Sequence, residues 1–132
     1  MVIDTSALVA ILLDEPERRR FTECIESAAT RAVSAATLVE TSIVLESRLG
    51  SAGVLALDRL LEVAAVHIVP LDADHARLAR AAYRRYGKGR HPAGLNLGDC
   101  FAYALSVARG ESLLCKGDDF AATDLELALP TA

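Results

Sequence analysis

Tryptophan is absent from the chain, methionine occurs only as residue 1, and three phenylalanines and three tyrosines make up the aromatic set. The core must therefore be built from aliphatic residues, and the dominance of Ala and Leu among them predicts numerous helices. Cysteine is also scarce. Cys24, Cys100 and Cys115 are scattered with no short pair spacing, which excludes a disulfide framework and a zinc signature and fits a reducing cytoplasm. Cys115, in the run Ser112-Leu113-Leu114-Cys115, reads as a buried small hydrophobe. Long apolar runs are missing too. Residues 6–13 are too few to span a bilayer; Asp4 precedes them, no basic segment leads in, and Asp14-Glu15-Pro16-Glu17 replaces a small-residue cleavage site. The expectation is a soluble, cytoplasmic chain with no membrane partner.

Several catalytic signatures are likewise absent. No His-x-x-x-His or paired Cys/His spacing supports zinc catalysis, and no Gly-x-Ser-x-Gly elbow supports a nucleophilic triad. Gly87-Lys88 lacks both the upstream glycine pattern and the Ser/Thr of a P-loop, and no dinucleotide-binding glycine fingerprint occurs.

What remains is a chain of 132 residues, long enough for one domain (1–132) with a real core. Its net charge of −4 disfavours nonspecific nucleic-acid binding, but the average hides an asymmetry. Between Arg77 and His91 six basic residues (Arg77, Arg80, Arg84, Arg85, Lys88 and Arg90) occur without an acid, so the rest of the chain carries about −10. Such a stripe is either a solvated helix face or a contact for a phosphate backbone.

The pattern alternates strand and helix. Val2-Ile3 reads as a buried strand, with Thr5 or Ser6 capping a helix through Leu13. A helix over 15–28 follows, then a strand over 31–34, a helix over 35–49 closed by Gly50, and a helix over 52–63. Residues 66–69 alternate as a strand. Asp72 caps a helix to Tyr86, and 87–94 reads as a flexible basic loop. Gly98-Asp99 opens a helix to Arg109, Leu113–Cys115 is a strand, and 125–127 a last short one. Strands alternating with helices imply a parallel sheet wrapped by helices, with the ligand site beyond the carboxyl ends of the strands.

Four acids fall at such places: Asp4, Glu40, Asp99 and one of Asp118 and Asp119. Carboxylates this far apart converge only through folding, and a converged cluster repels itself unless cations neutralise it. Each has an ordinary alternative. Asp4 and Asp99 could be helix caps or first-turn acids, and the last pair could be turn residues. Glu40 lies inside a helix, within about 60° of Ala36, Ile43 and Val44; that setting suggests partial burial, and nothing basic stands three or four residues away to pair with it. Glu46 and Glu62 read as exposed.

The segments Val2-Ile3-Asp4-Thr5-Ser6-Ala7-Leu8, Thr37-Leu38-Val39-Glu40-Thr41, Leu97-Gly98-Asp99-Cys100-Phe101-Ala102-Tyr103-Ala104 and Leu113-Leu114-Cys115-Lys116-Gly117-Asp118-Asp119-Phe120 occur in that order. Together they resemble the PIN-domain family, in particular the VapC toxins of bacterial type II toxin–antitoxin systems, over essentially the whole chain. The resemblance implies a three-layer α/β/α sandwich with a short, mostly parallel central sheet. It also implies a Mg²⁺-dependent endoribonuclease, Mn²⁺ being a plausible substitute, that leaves a 5′-phosphate and a 3′-hydroxyl. Asp4 and Asp99 would be direct metal ligands, with Glu40 and Asp119 ligating directly or through water. Many relatives carry Asp-x-Asp-Phe where this chain has Gly117-Asp118-Asp119-Phe120, so Asp119 is favoured and Asp118 stays open as a supporting acid, beside Ser6. Arg84, Arg85, Lys88 and Arg90 would contact RNA, a transfer or ribosomal species. Expected partners are a VapB-like antitoxin in a hetero-oligomer, with its tail in the cleft, and a second copy as a homodimer. Two other classes stay in view: a catalytically silent PIN scaffold that only binds, and a phosphotransfer or receiver domain. The latter lacks its adjacent acidic pair, and haloacid-dehalogenase-type phosphatases lack their Asp-x-Asp.

Overall fold

In the computed structural model, which describes residues 1–130, a four-stranded parallel sheet in the order β3-β2-β1-β4 is assembled from very short strands. These are β1 (Val2–Ile3), β2 (Ala32–Ser34), β3 (His67–Val69) and β4 (Leu113–Leu114). Six helices connect and cover them: α1 (Thr5–Leu12), α2 (Arg18–Ser27), α3 (Ala35–Leu49), α4 (Ser51–Val63), α5 (Ala73–Tyr86) and α6 (Leu97–Arg109). The expected three-layer α/β/α arrangement is what forms.

Strand alternation explains the two cores. Val2, Ala32 and Leu113 point to one face and pack with α5 and α6 residues such as Ala82, Tyr86 and Leu105. Their successors Ile3, Val33 and Leu114 point to the other face and pack with Leu8, Phe21, Leu45 and Leu57. Successive side chains of a strand face opposite ways, so two apolar residues in a row suit a sheet covered on both sides. Among the described residues, no helix is long and apolar enough to cross a membrane.

Several boundaries differ from the sequence expectation. The first helix is capped by Asp4 itself, whose carboxylate accepts the Ser6 N–H, rather than by Thr5 or Ser6. The second begins at Arg18 because residues 14–17 form a turn, with Asp14 in the left-handed region at φ 55°. The sixth opens at Leu97 behind Asn96, one turn-position earlier than Gly98-Asp99. Cys115 lies just past β4 and is only partly buried, and the last strand shrinks to a single Leu113–Leu127 bridge.

The 87–94 segment is not a free loop. Lys88 N donates to Leu95 O and Leu95 N to Tyr86 O, both at 2.9 Å, and the His91 ring meets the Tyr86 ring edge-on at 5.0 Å. Ala93 and Leu95 are buried in the core, and that burial fixes the turn despite its glycines.

Strand order decides where a site can form. The chain steps from β1 to β2 to β3 in one direction, then returns to place β4 on the other side of β1. A crevice opens at the carboxyl ends of β1 and β4, where the connections diverge. Asp4 leaves β1 at that point, and Lys116 to Asp119 leave β4 beside it.

Candidate metal centre

Asp4 is only 3 % exposed. Its Oδ2 accepts the Ser6 N–H at 3.0 Å and the Ser6 hydroxyl at 2.7 Å, and Ser6 Oγ in turn accepts the Lys116 N–H at 2.9 Å. Ser6 thus joins the end of β1 to the segment after β4. Oδ1 is buried and has no hydrogen-bond partner among the described residues. Burial raises the carboxyl to about 7; the two Ser6 bonds oppose the rise, and the charges of Asp99 and Glu40 add to it.

Asp99 stands at the third position of α6. Its Oδ2 accepts the Asn96 N–H at 3.0 Å, while Asn96 Oδ1 accepts the Asp99 N–H at 2.9 Å, a reciprocal capping box. Its Oδ1 makes no hydrogen bond within the described residues. Burial pushes this carboxyl upward against the Asn96 bond, and the charges of Asp119 and Glu40 push the same way.

Glu40 is half-buried in α3. The reason is not the apolar neighbourhood the helical wheel suggested, because Ile43 is 63 % exposed. Glu40 is covered by α1 and α6 instead. Oε1 accepts the Thr5 hydroxyl at 2.5 Å, and Thr41 Oγ1 lies 3.0 Å from Thr5 Oγ1. Oε2 presses on Gly98, where a Cβ would overlap the carboxylate. Gly98 is therefore required by space rather than by backbone conformation.

The last acid resolves into two different environments. Asp119 is exposed, makes no capping hydrogen bond at the short 3₁₀ turn Phe120–Ala122, and its charge acts on Asp99. Asp118 lines a separate hollow with Glu17, Arg20 and Lys116. Cys115, between these acids and the core, has its thiol pushed up to about 12 by burial and by Asp4, Asp99 and Asp119. A nucleophilic thiolate is thereby disfavoured.

The fold thus brings Asp4, Glu40 and Asp99 to one cleft, with Asp119 at its edge. Asp4 and Asp99 each have one oxygen bonded by the scaffold and one without a hydrogen-bond partner among the described residues, while Glu40 is bonded by Thr5 and packed on Gly98. They do not crowd together: among the described residues, no three Asp, Glu, His or Cys side chains stand close enough to surround an ion directly. A Mg²⁺ ion suits such spacing, since it takes one or two carboxylates and keeps most of its waters. The donor set is all hard carboxylate oxygen, and the partnerless Oδ1 of Asp4 is what a cation would satisfy.

Thr5, Thr41, Gly98 and Asn96 were not legible as parts of this cleft. Only Asn96 carried a usable signal, the Asn-x-x-Asp spacing of a capping box.

A parallel sheet with carboxylates gathered at its switch point defines a class of α/β proteins with an acidic cleft. The PIN domain model matches residues 1–126. Ribonuclease VapC30 of Mycobacterium tuberculosis is 54 % identical over 131 residues, covering 98 % of this chain and all of the relative. Among solved structures, the crystal structure of Mycobacterium tuberculosis VapC20, described as a sarcin–ricin-loop-cleaving toxin, superposes with a TM-score of 0.77 at 18 % identity, covering 94 % of this chain and 95 % of that one. VapBC2 from Rickettsia felis, solved with a DNA fragment from its promoter, gives 0.71 at 17 % identity, covering 96 % and 95 %. The chain belongs to the PIN-domain family and is of its VapC type.

Proposed function

We propose that this chain is an endoribonuclease toxin whose activity depends on a divalent cation, Mg²⁺ or Mn²⁺, held by Asp4 and Asp99. The observation that carries the proposal is the trio of carboxylates at the switch point, with one oxygen of Asp4 and one of Asp99 left without a hydrogen-bond partner among the described residues. Support for RNA as the substrate comes from the 54 % identical ribonuclease. Support for a VapB-like antitoxin comes from the VapBC2 structure. In this reading the whole chain acts as one PIN unit in the cytoplasm, pairs with a second copy, and is silenced in a toxin–antitoxin hetero-oligomer whose antitoxin tail enters the cleft.

The chain's own groups divide the work. Ser6 and the capping box hold Asp4 and Asp99 so that their free oxygens face the cleft. Thr5 and Gly98 set the rotamer of Glu40, which orients water on the cleft side of α3. Asp119 closes the edge, a role its influence on Asp99 favours over Asp118. A bound cation would neutralise the scissile phosphate and favour ionisation of an attacking water. The resemblance to the VapC toxins implies that water attacks phosphorus and the bond to the 3′ oxygen breaks, that oxygen leaving with a proton, to give a 5′-phosphate and a 3′-hydroxyl.

The test is cleavage of purified transfer and ribosomal RNA. EDTA should abolish it, Mg²⁺ or Mn²⁺ should restore it, and Asp99→Asn, which keeps its cap, should lower it at least about 100-fold. A folded protein showing neither cleavage nor acid-dependent metal binding would be a silent scaffold instead. Gly98→Ala tests Glu40 separately. The added methyl should displace the carboxylate and lower cleavage about tenfold or more, while the helix gains or loses no more than about 1 kcal/mol. Unchanged cleavage and Mn²⁺ titration in that variant would show that the Gly98 contact does not set the carboxylate.

A further inference from the structure

Lys116 lies just past the end of β4, and both its backbone and its side chain are tied to other elements. Its N–H donates to Ser6 Oγ at 2.9 Å, in the first turn of α1. Its ammonium donates to Glu15 Oε1 at 3.0 Å and stands 3.3 Å from Glu17 Oε2, in the turn that follows α1. One lysine therefore grips both ends of the helix that Asp4 caps. Among the described residues it is the one cation with two carboxylate partners. Around it the chain leaves the sheet. Gly117 takes φ 93°, Asp118 and Asp119 are exposed, and the chain re-enters the core at Phe120.

The bond from Lys116 to Ser6 fixes the direction of a proton. A hydroxyl has a single hydrogen, and Ser6 Oγ, already accepting from Lys116, gives it to Asp4 Oδ2 at 2.7 Å. Oδ2 is thus committed to Ser6, and Oδ1 is the oxygen left without a partner among the described residues. We propose that Lys116 is a positioning residue of the metal centre, acting through Ser6. Its clasp on Glu15 and Glu17 keeps its N–H on Ser6 Oγ, and that bond keeps Asp4 Oδ1 available to a cation. The inference rests on the cation-dependent reading of the cleft and adds residues outside the cleft that set its affinity. A lysine kept for RNA phosphate would stand free, whereas this ammonium is already neutralised by two acids. The sign of the effect separates the clasp from charge alone. Removing a positive charge near a group of acids should tighten cation binding, but removing the clasp should weaken it.

The test uses the full chain and reads Mn²⁺ binding from the electron paramagnetic resonance signal of the free ion. Lys116→Met should weaken binding about tenfold, the lower end of what residues that hold metal ligands contribute. Glu15→Gln/Glu17→Gln, which leaves Lys116 in place, should weaken it as much, and carries the same test if Lys116→Met does not fold. Lys116→Arg, whose fork can bridge both acids, should stay within about threefold of the parent. Arg18→Gln breaks the exposed Arg18–Asp14 pair of the same turn and should change binding less than about twofold. In EDTA-treated protein the Ser6 and Lys116 amides should exchange hydrogen faster in Lys116→Met and in the glutamate pair, and at the parent rate in Arg18→Gln. At saturating Mn²⁺, RNA cleavage by Lys116→Met should return to within about threefold of the parent with KM unchanged. A raised KM for RNA at unchanged Mn²⁺ affinity would make Lys116 an RNA contact and overturn the proposal. So would tighter Mn²⁺ binding in Lys116→Met, opposite shifts in the lysine and glutamate variants, or unaltered exchange at both amides. If the parent binds Mn²⁺, Asp4→Asn abolishes that binding and Lys116→Met leaves it intact, the clasp fails alone. If the parent shows no acid-dependent binding, the metal-centre reading fails, and amide exchange still decides whether Lys116 holds Ser6.

Discussion

Asp4→Asn should lower RNA cleavage by about 1000-fold or more and, in the same protein, raise the stability of the metal-free state at pH 8. The two effects share one cause. Asparagine keeps the shape of the side chain, and its carbonyl oxygen can accept the Ser6 bonds that now end on Oδ2. What it lacks is the charge. A thousandfold loss corresponds to about 4 kcal/mol of transition-state stabilisation, within the several kcal/mol that a correctly held cation supplies. Without a cation, that same charge sits buried beside Asp99 and Glu40 and is a cost. Circular dichroism and denaturant titration of the EDTA-treated proteins, alongside cleavage assays, give both readings. A variant that cuts like the parent would remove Asp4 from the centre.

The metal-free parent should lose stability as the pH rises from about 4 to 7, and Mg²⁺ should reverse that loss only on the alkaline side. The Asp4 carboxyl is raised from 3.8 to about 7, chiefly by burial. Between these values the folded protein keeps a proton that the unfolded chain has released, so stability falls with rising pH and levels off above the folded value. The window caps the effect at about 4 kcal/mol. Asp99 is raised as well and contributes in the same sense. Asp72, Asp124 and Glu111 are lowered, so their contributions are lost on acidification instead. Subtracting the Asp4→Asn profile isolates the one group. Because a cation must displace the proton, Mg²⁺ should stabilise the parent at pH 8, little at pH 5.5, and the variant weakly at both. Parallel profiles for parent and variant would sink the argument.

Much of the architecture was legible because alternating strand and helix signals are local. Val2-Ile3, Val66–Val69 and Gly50 each announce an element or its end in a few residues. The starts of helices were less legible. The sequence leaves Asp4 open as a cap or a functional acid and offers Thr5 or Ser6 as the cap, whereas the structure gives the capping bond to Asp4. For Asp99 the same choice was posed, and the capping box exists beside the acidic cleft. The helical wheel surrounds Glu40 with apolar neighbours, yet Ile43 faces outward and the covering groups come from Thr5 and Gly98. No periodicity within α3 can encode contacts supplied by α1 and α6. The basic stripe was visible as a run of charge, but the pairing of Arg77 with Asp74 and of Arg85 with Asp124 is set by the fold.

The shared use of each carboxylate has an evolutionary consequence. Asn is as good a helix cap as Asp, so an aspartate-to-asparagine change at position 4 or 99 leaves the local scaffold bonds in place while deleting the charge. Such a change needs one nucleotide. Selection for a folded chain would not remove it, and at position 4 could favour it whenever cations are scarce. Folded copies that have lost their acids are therefore the decay products this gene should leave behind, with intact cores and caps and the amide in place of the acid.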